Sequence, residues 1–220
     1  VLTEQERGTT FFGVPTMLIA LLDSHEVSPV DFSSVKIAIS GGSMVAPELV
    51  RRVKNTVDCG FSTVYGQTET SPVLTQTFPD DSEEDICNTV GQPLPNKDIA
   101  ILDPKTSKIM PLNTIGEICS RGYCNMLRYN DNPEATKVTI DEDDWLHTGD
   151  LGSMDERGYV KITGRLKEMI IRGGENLFPA EIENTLLEHP AIAEVAVVGI
   201  PDPKWGEIVG CFVRPVDGTE

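Results

Sequence analysis

A strand, turn and helix unit near the amino terminus indicates the fold class of this chain. Val35 to Ser40 forms an apolar, β-prone run that ends in the glycine pair Gly41-Gly42. Pro47 suits the first turn of a helix, which we expect to continue through Val57. A strand followed by a glycine turn and a helix is typical of α/β proteins, in which ligands gather at the carboxyl ends of the strands.

The neighbouring segments extend this pattern. We predict a short buried helix over Val14 to Leu22 and a further strand over Ser62 to Tyr65. That strand would bring residues 65–69, Tyr-Gly-Gln-Thr-Glu, to the same sheet edge as the glycine pair. The sequence therefore predicts a ligand site at one end of an α/β sheet.

The sequence pattern changes near Val90, and the new pattern continues to Thr163. Its β-prone segments are short and separated by Pro, Asn, Asp and Gly, which predicts a small antiparallel sheet or barrel without a helix of any length. The segments are Asp98–Leu102, Gly116–Arg121 and Tyr159–Thr163. We place His147-Thr148-Gly149-Asp150 in a loop of this region.

The α/β pattern returns after Arg165, where we expect a domain boundary near Lys167. The predicted elements there are a strand over Met169–Ile171, a helix over Pro179–Glu188 and a strand over Glu194–Val198. The expected organisation is the end of an α/β subdomain (residues 1–85), a β-barrel-like subdomain (residues 86–166) and an incomplete α+β carboxyl-terminal domain (residues 167–220).

Composition excludes some classes of function. The chain has 35 acidic against 18 basic residues and a formal charge of −17, which argues against a nucleic-acid partner. Its five cysteines form no Cys-x-x-Cys pair, so we expect a reducing, cytoplasmic environment. No apolar run is long enough to span a bilayer. The first residue is Val and the last four form no element, which suggests a piece of a longer protein.

Residues 65–69 contain the parts of a nucleotide site. Tyr65 offers an aromatic face for a base, and Gly66 lets a ligand approach the backbone. Thr68 offers a hydroxyl and Glu69 a carboxylate suited to Mg²⁺. The alternative is a strand-end turn in which Thr68 and Glu69 only cap the next segment.

Two later motifs supply complementary groups. Asp150 can accept hydrogen bonds from both hydroxyls of a ribose, although an Asp at this position can also be a simple turn former. Arg165 carries the guanidinium best suited to bidentate phosphate binding, or it forms a surface ion pair.

These motifs occur together and in this order, and in this respect the sequence resembles the adenylate-forming superfamily over essentially its whole length. That superfamily includes acyl-CoA synthetases, luciferases and peptide-synthetase adenylation domains. The runs over residues 116–123 and 170–183 look most like those of fatty and medium-chain acyl-CoA synthetases.

The resemblance implies a role for each motif residue. Gly42, Ser43 and Met44 would line the adenine, on which Tyr65 would stack, with Gly66 beside it. Thr68 would bind the α-phosphate, Glu69 would bind Mg²⁺, Asp150 would hold the ribose and Arg165 would contact the ribose or phosphate. Lys167 would be the hinge, and Gly173 and Gly174 would lie in the loop that approaches CoA. The resemblance thus implies these sets: catalytic residues Thr68, Glu69 and Arg165; nucleotide-binding residues Gly42, Ser43, Met44, Tyr65, Gly66, Thr68, Asp150 and Arg165; metal ligand Glu69; hinge residue Lys167; and CoA-side residues Gly173 and Gly174.

The implied reaction joins a fatty acid of medium chain length to CoA, with ATP and Mg²⁺, through an acyl-adenylate. The family's phosphate loop and adenylating lysine have no match in these 220 residues, so we expect them to be inactive alone. Two alternatives stay open at this point. One is an enzyme that loads a carrier protein or activates aryl acids, and the other is a nucleotide-binding module without catalysis.

Overall fold

The computed structural model describes residues 2–43 and 45–216. Its α-helices are α1 Leu2–Gln5, α2 Pro15–Val27, α3 Pro47–Val57, α4 Glu83–Asn88, α5 Pro133–Thr139 and α6 Pro179–Leu187. Its strands are β1 Thr10–Gly13, β2 Ile37–Gly41, β3 Gly60–Tyr65, β4 Thr75–Gln76, β5 Gln92–Pro93, β6 Lys97–Leu102, β7 Gly116–Gly122, β8 Leu146–Met154, β9 Val160–Arg165, β10 Ile170–Arg172, β11 Glu175–Leu177, β12 Ile192–Asp202 and β13 Gly206–Pro215. Single 3-10 turns lie at Thr68–Thr70 and Leu166–Glu168.

The first sheet has the strand order β1-β2-β3-β4-β5. β1, β2 and β3 run parallel, and β4 and β5 complete the sheet in antiparallel fashion. Helices α2 and α3 pack against it through an apolar core that includes Leu18, Val50 and Phe61, each at most 1% exposed. Each such side chain contributes about 1.5–3 kcal/mol by leaving water, so this core fixes the parallel strands whose carboxyl ends form the predicted site.

The second sheet is antiparallel and open, with the order β6-β7-β8-β9. The predicted mixed α/β class is confirmed, but this subdomain is a sheet and not the barrel that we expected from its short strands. A second apolar cluster, which includes Leu74, Ile118 and Val160, joins it to the end of β3. An ion pair joins α4 to the turn between β8 and β9, because Arg157 contacts both carboxylate oxygens of Asp85 at 3.0 and 2.8 Å.

Two expectations about this region were wrong. Residues 147–150 lie within β8 and not in a loop, because His147 pairs with Cys119 of β7 and Asp150 pairs with Arg165 of β9. The region also contains a helix, α5, which begins at Pro133 after Asn132 caps the backbone N–H of Ala135. Asn before Pro is a start signal for a helix, and it outweighed the polar composition.

The third sheet has the order β11-β10-β13-β12, and α6 begins at Pro179 as predicted. Most of its side chains are exposed, and the few buried ones include Ile170 and Val197. No helix among residues 2–43 and 45–216 is long and apolar enough to cross a membrane.

Candidate nucleotide-binding site

Three of the predicted site residues meet where β3, β8 and β9 come together. The Tyr65 hydroxyl donates a hydrogen bond to Asp150 Oδ2 at 2.9 Å. Arg165 Nε lies 3.3 Å from Asp150 Oδ1, and Asp150 and Arg165 are cross-strand partners. The Asp150 carboxylate therefore joins its cross-strand partner Arg165 to Tyr65, which lies 85 positions away from Asp150 in sequence.

Burial controls the protonation of this group. Burial is the main cause that raises the pKa of Tyr65, and the charge of Asp150 adds to it, so the phenol stays protonated and donates. Burial also raises the pKa of Asp150, against the opposing effects of Tyr65 and Arg165. The Asp150 side chain is 15% exposed and that of Arg165 is 69% exposed, so the guanidinium can reach a ligand from the solvent side.

Glu69 and Thr68 lie in the 3-10 turn that follows β3. The Tyr129 hydroxyl donates to Glu69 Oε1 at 2.7 Å, and the backbone N–H of Met126 donates to the Glu69 carbonyl at 2.7 Å. The hydrogen bond between the Tyr129 hydroxyl and the Glu69 carboxylate is the main cause that raises the pKa of Tyr129. Glu69 Oε2 has the chemistry of a ligand for a hard cation, and Thr68 is exposed beside it.

The glycines at this edge are needed where the chain passes close to itself. A Cβ on Gly66 would lie 1.8 Å from the Pro72 carbonyl oxygen, so only glycine fits. Gly42 has φ of +82° and is exposed with Ser43 just beyond β2, the strand that pairs with β3. Met44 was assigned to the same surface but lies outside the described residues.

β8 is irregular where it presents Asp150. Glu117 pairs with Leu151 and Cys119 pairs with His147, so the three residues 148–150 stand opposite Ile118 alone. No pattern in the sequence indicates this bulge, and none identifies Glu117 or Tyr129 as a site residue. Their roles depend on contacts across 32 and 60 positions, respectively.

The remaining predicted residues follow β9 in the chain. Lys167 is exposed in the 3-10 turn between β9 and β10. Gly173 and Gly174 form the exposed turn between β10 and β11 in the third sheet. Beside that turn, the Arg172 guanidinium lies 5.1 Å and the Lys204 ammonium 4.7 Å from the ring centre of Trp205.

The arrangement combines the functional groups that an adenine nucleotide requires. It offers a partly buried carboxylate for ribose hydroxyls, an exposed guanidinium and hydroxyl for phosphate, and a carboxylate oxygen for a divalent cation. These groups come from three separated segments, namely the turn after β3, strand β8 and strand β9.

Comparison with known proteins points in the same direction. A protein-family profile described as "AMP-binding enzyme" matches residues 1–130, and one described as "AMP-binding enzyme C-terminal domain" matches residues 181–220.

Two curated relatives match nearly the whole chain. The human protein named medium-chain acyl-CoA ligase ACSF2, mitochondrial, is 42% identical over 98% of this chain and 35% of its own length. The Bacillus subtilis protein named putative acyl-CoA synthetase YngI is 44% identical over 98% of this chain and 39% of its own length. The chain thus spans a little over a third of the relatives it matches.

A solved structure has the same fold. Amide bond synthetase McbA from Marinactinospora thermotolerans superposes with a TM-score of 0.89 and is 32% identical, over 100% of this chain and 45% of its own. From the site geometry and these matches together, the chain belongs to the AMP-binding enzyme family.

Proposed function

We propose that the complete protein is an AMP-forming acid–CoA ligase that converts a fatty acid of medium chain length to its CoA thioester. The observation that carries this proposal is the junction of Tyr65, Asp150 and Arg165 at one sheet edge. The names of the two curated relatives support the choice of acid and acceptor.

The first half-reaction would use the groups on β3, β8 and β9. Asp150 holds the ribose, which fixes the α-phosphate relative to Thr68 and Arg165. The carboxylate of the fatty acid attacks that phosphorus, and pyrophosphate leaves. Thr68 donates a hydrogen bond and Arg165 offers positive charge to phosphate oxygens on which charge grows in the transition state. Both groups are exposed and need no refolding to reach a ligand.

Glu69 suits Mg²⁺ on chemical grounds, because its free carboxylate oxygen is a hard ligand and Tyr129 holds the other oxygen. When bound there, the ion would neutralise charge on the leaving pyrophosphate. Tyr129 orients the Glu69 carboxylate by its hydrogen bond.

The second half-reaction would use the third sheet. The CoA thiolate attacks the acyl carbon of the adenylate, the bond to the phosphate oxygen breaks, and AMP leaves. We assign the change of geometry between the two steps to a rotation at Lys167, which would bring Gly173 and Gly174 to the acceptor. This assignment goes with the expected units of residues 1–85, 86–166 and 167–220.

The five cysteines are free, and this supports our proposal of a reducing, cytoplasmic location. The human relative is named as mitochondrial, so location is the part of the proposal that can differ among relatives.

The test is thioester formation by the product of the complete open reading frame. The purified protein is given ATP, Mg²⁺, CoA and a panel of acids from acetate to palmitate, with aryl acids included. We expect AMP and acyl-CoA, with the highest kcat/KM for acids of intermediate length. Absence of both pyrophosphate release and thioester would refute the proposal.

A different acceptor is the second candidate, because McbA is an amide bond synthetase with the same fold. The same assay decides between them when CoA is replaced by an amine or by a carrier protein. Pyrophosphate release with amide or carrier product, and no CoA thioester, would favour the second candidate.

A further inference from the structure

Glu117 is a buried charge outside the set of residues predicted to contact the nucleotide. It lies on β7 and is 4% exposed. Its Oε1 accepts the backbone N–H of Gly149 at 2.9 Å, and its Oε2 lies 2.7 Å from His147 Nδ1. A buried carboxylate is costly unless both oxygens are paired, and here both are.

The partners of Glu117 lie in or next to the bulge that presents Asp150: Gly149 is within it, and His147 directly precedes it. With three residues of β8 opposite one of β7, the normal ladder of backbone hydrogen bonds is interrupted. Glu117 replaces the missing acceptor for Gly149. Thr148 completes the replacement, since its hydroxyl donates to the Ile118 carbonyl at 2.6 Å and accepts the Asp150 N–H at 3.1 Å.

His147 holds the second carboxylate oxygen of Glu117, Oε2. Its Nε2 lies 3.4 Å from Asp141 Oδ2, so a protonated ring can donate to a carboxylate at each end. Burial alone would lower the pKa of His147, but Glu117 and Asp141 together raise it. The two contacts therefore fix the orientation of the His147 ring between Glu117 on β7 and Asp141 in the segment before β8.

From these contacts we propose that Glu117 is a positioning residue for the ribose-binding carboxylate. By holding the Gly149 N–H and His147 on its two oxygens, it sets the shape of the bulge and therefore the position of Asp150. This inference rests on the proposed nucleotide site.

A metal site at the same place is the main alternative, because Glu117, Cys119 and His147 have ligand atoms within 4.8 Å of one another. The contacts favour positioning. Glu117 already uses both oxygens, and burial raises the pKa of the Cys119 thiol, which keeps it protonated and a poor ligand.

The test compares AMP with 2'-deoxy-AMP as ligands of the complete protein, by calorimetric titration. Asp150 should make the wild type prefer AMP by about 10-fold or more, the value of one charge-assisted hydrogen bond. Glu117→Gln keeps the size of the side chain but cannot accept on both atoms. We expect the preference to fall towards equal affinity, and AMP binding to weaken more than 2'-deoxy-AMP binding.

Glu156→Gln is the matched control, because Glu156 is exposed in the β8–β9 turn. It should keep the wild-type preference. If Glu117→Gln fails to fold, Thr148→Val removes the other two bulge hydrogen bonds without a change of size, and the same loss is expected. An unchanged preference in a folded variant would overturn the inference.

Failure of this inference can be told from failure of the proposed function. A wild type that prefers AMP, together with a Glu117→Gln protein that retains the preference, overturns only the positioning role. A wild type that does not distinguish the two ligands removes the ribose role of Asp150 and with it the positioning role of Glu117, whereas the ligase proposal stands or falls by the thioester assay.

Discussion

The nucleotide edge, which is the junction of Tyr65, Asp150 and Arg165 together with Glu117 behind it, differs from the third sheet in how much of its geometry the fold already fixes. At the nucleotide edge, Tyr65 is 8% exposed and Glu117 is 4% exposed, and hydrogen bonds hold their polar atoms. In the third sheet, Trp205 is 40% exposed and Phe212 is 66% exposed. The first region is therefore organised before a ligand arrives, whereas the second offers a surface that can be covered in more than one way.

The largest effect should come from Asp150→Asn, which removes the charge at the centre of the nucleotide edge. We expect kcat/KM for ATP to fall about 100-fold or more, because two charge-assisted hydrogen bonds to the ribose are weakened. Initial-rate pyrophosphate release measures it. Asp98→Asn, at an exposed carboxylate on β6, should stay near wild type, and a loss below about threefold at Asp150 would contradict the assignment.

The second prediction concerns the rigidity of the same edge. Gly66→Ala places a methyl group against the Pro72 carbonyl, and we expect a loss of roughly 3 kcal/mol in unfolding free energy. Gly158 also has a positive φ, but a Cβ there would meet open space, so Gly158→Ala should lower the unfolding free energy by only about 1 kcal/mol. Urea denaturation of the complete protein measures both, and equal losses would show that the close approach is unimportant.

How far the sequence predicted this structure depends on the range of the interactions. Helix α3 has the predicted bounds, Pro47 to Val57, because Pro and apolar spacing are local signals. Strand β8 was missed because its polar residues and Gly149 break the alternation that marks a strand. The roles of Glu117 and Tyr129 could not be predicted, since they depend on partners that only the folded sheets bring near.

The third prediction concerns metal use at the nucleotide edge. Tyr129→Phe removes the hydroxyl that orients Glu69, so we expect the Mg²⁺ concentration for half-maximal activity to rise about fivefold, equivalent to one hydrogen bond. Tyr123→Phe is a matched control at an exposed tyrosine. A Mg²⁺ titration at saturating ATP measures the effect, and identical curves for the two variants would argue against an orienting role.

The smallest effect is expected in the third sheet. A change there should affect only the second half-reaction, whereas changes at the nucleotide edge affect the first. A Cβ on Gly173 would lie 2.8 Å from the Trp205 ring, and the exposed ring can move away at modest cost. Gly173→Ala should slow thioester formation about threefold while pyrophosphate release is unchanged. Rapid-quench measurement of both steps tests this, and an equal loss in both would mean that the turn is not specific to the second step.

The most direct test of the nucleotide edge is a crystal structure of the complete protein with a non-hydrolysable acyl-adenylate analogue. We predict that both ribose hydroxyls lie within hydrogen-bonding distance of Asp150, with the adenine against Tyr65 and the phosphate analogue beside Thr68 and Arg165. A ribose held by other residues, with Asp150 still bound only to Tyr65 and Arg165, would contradict the account.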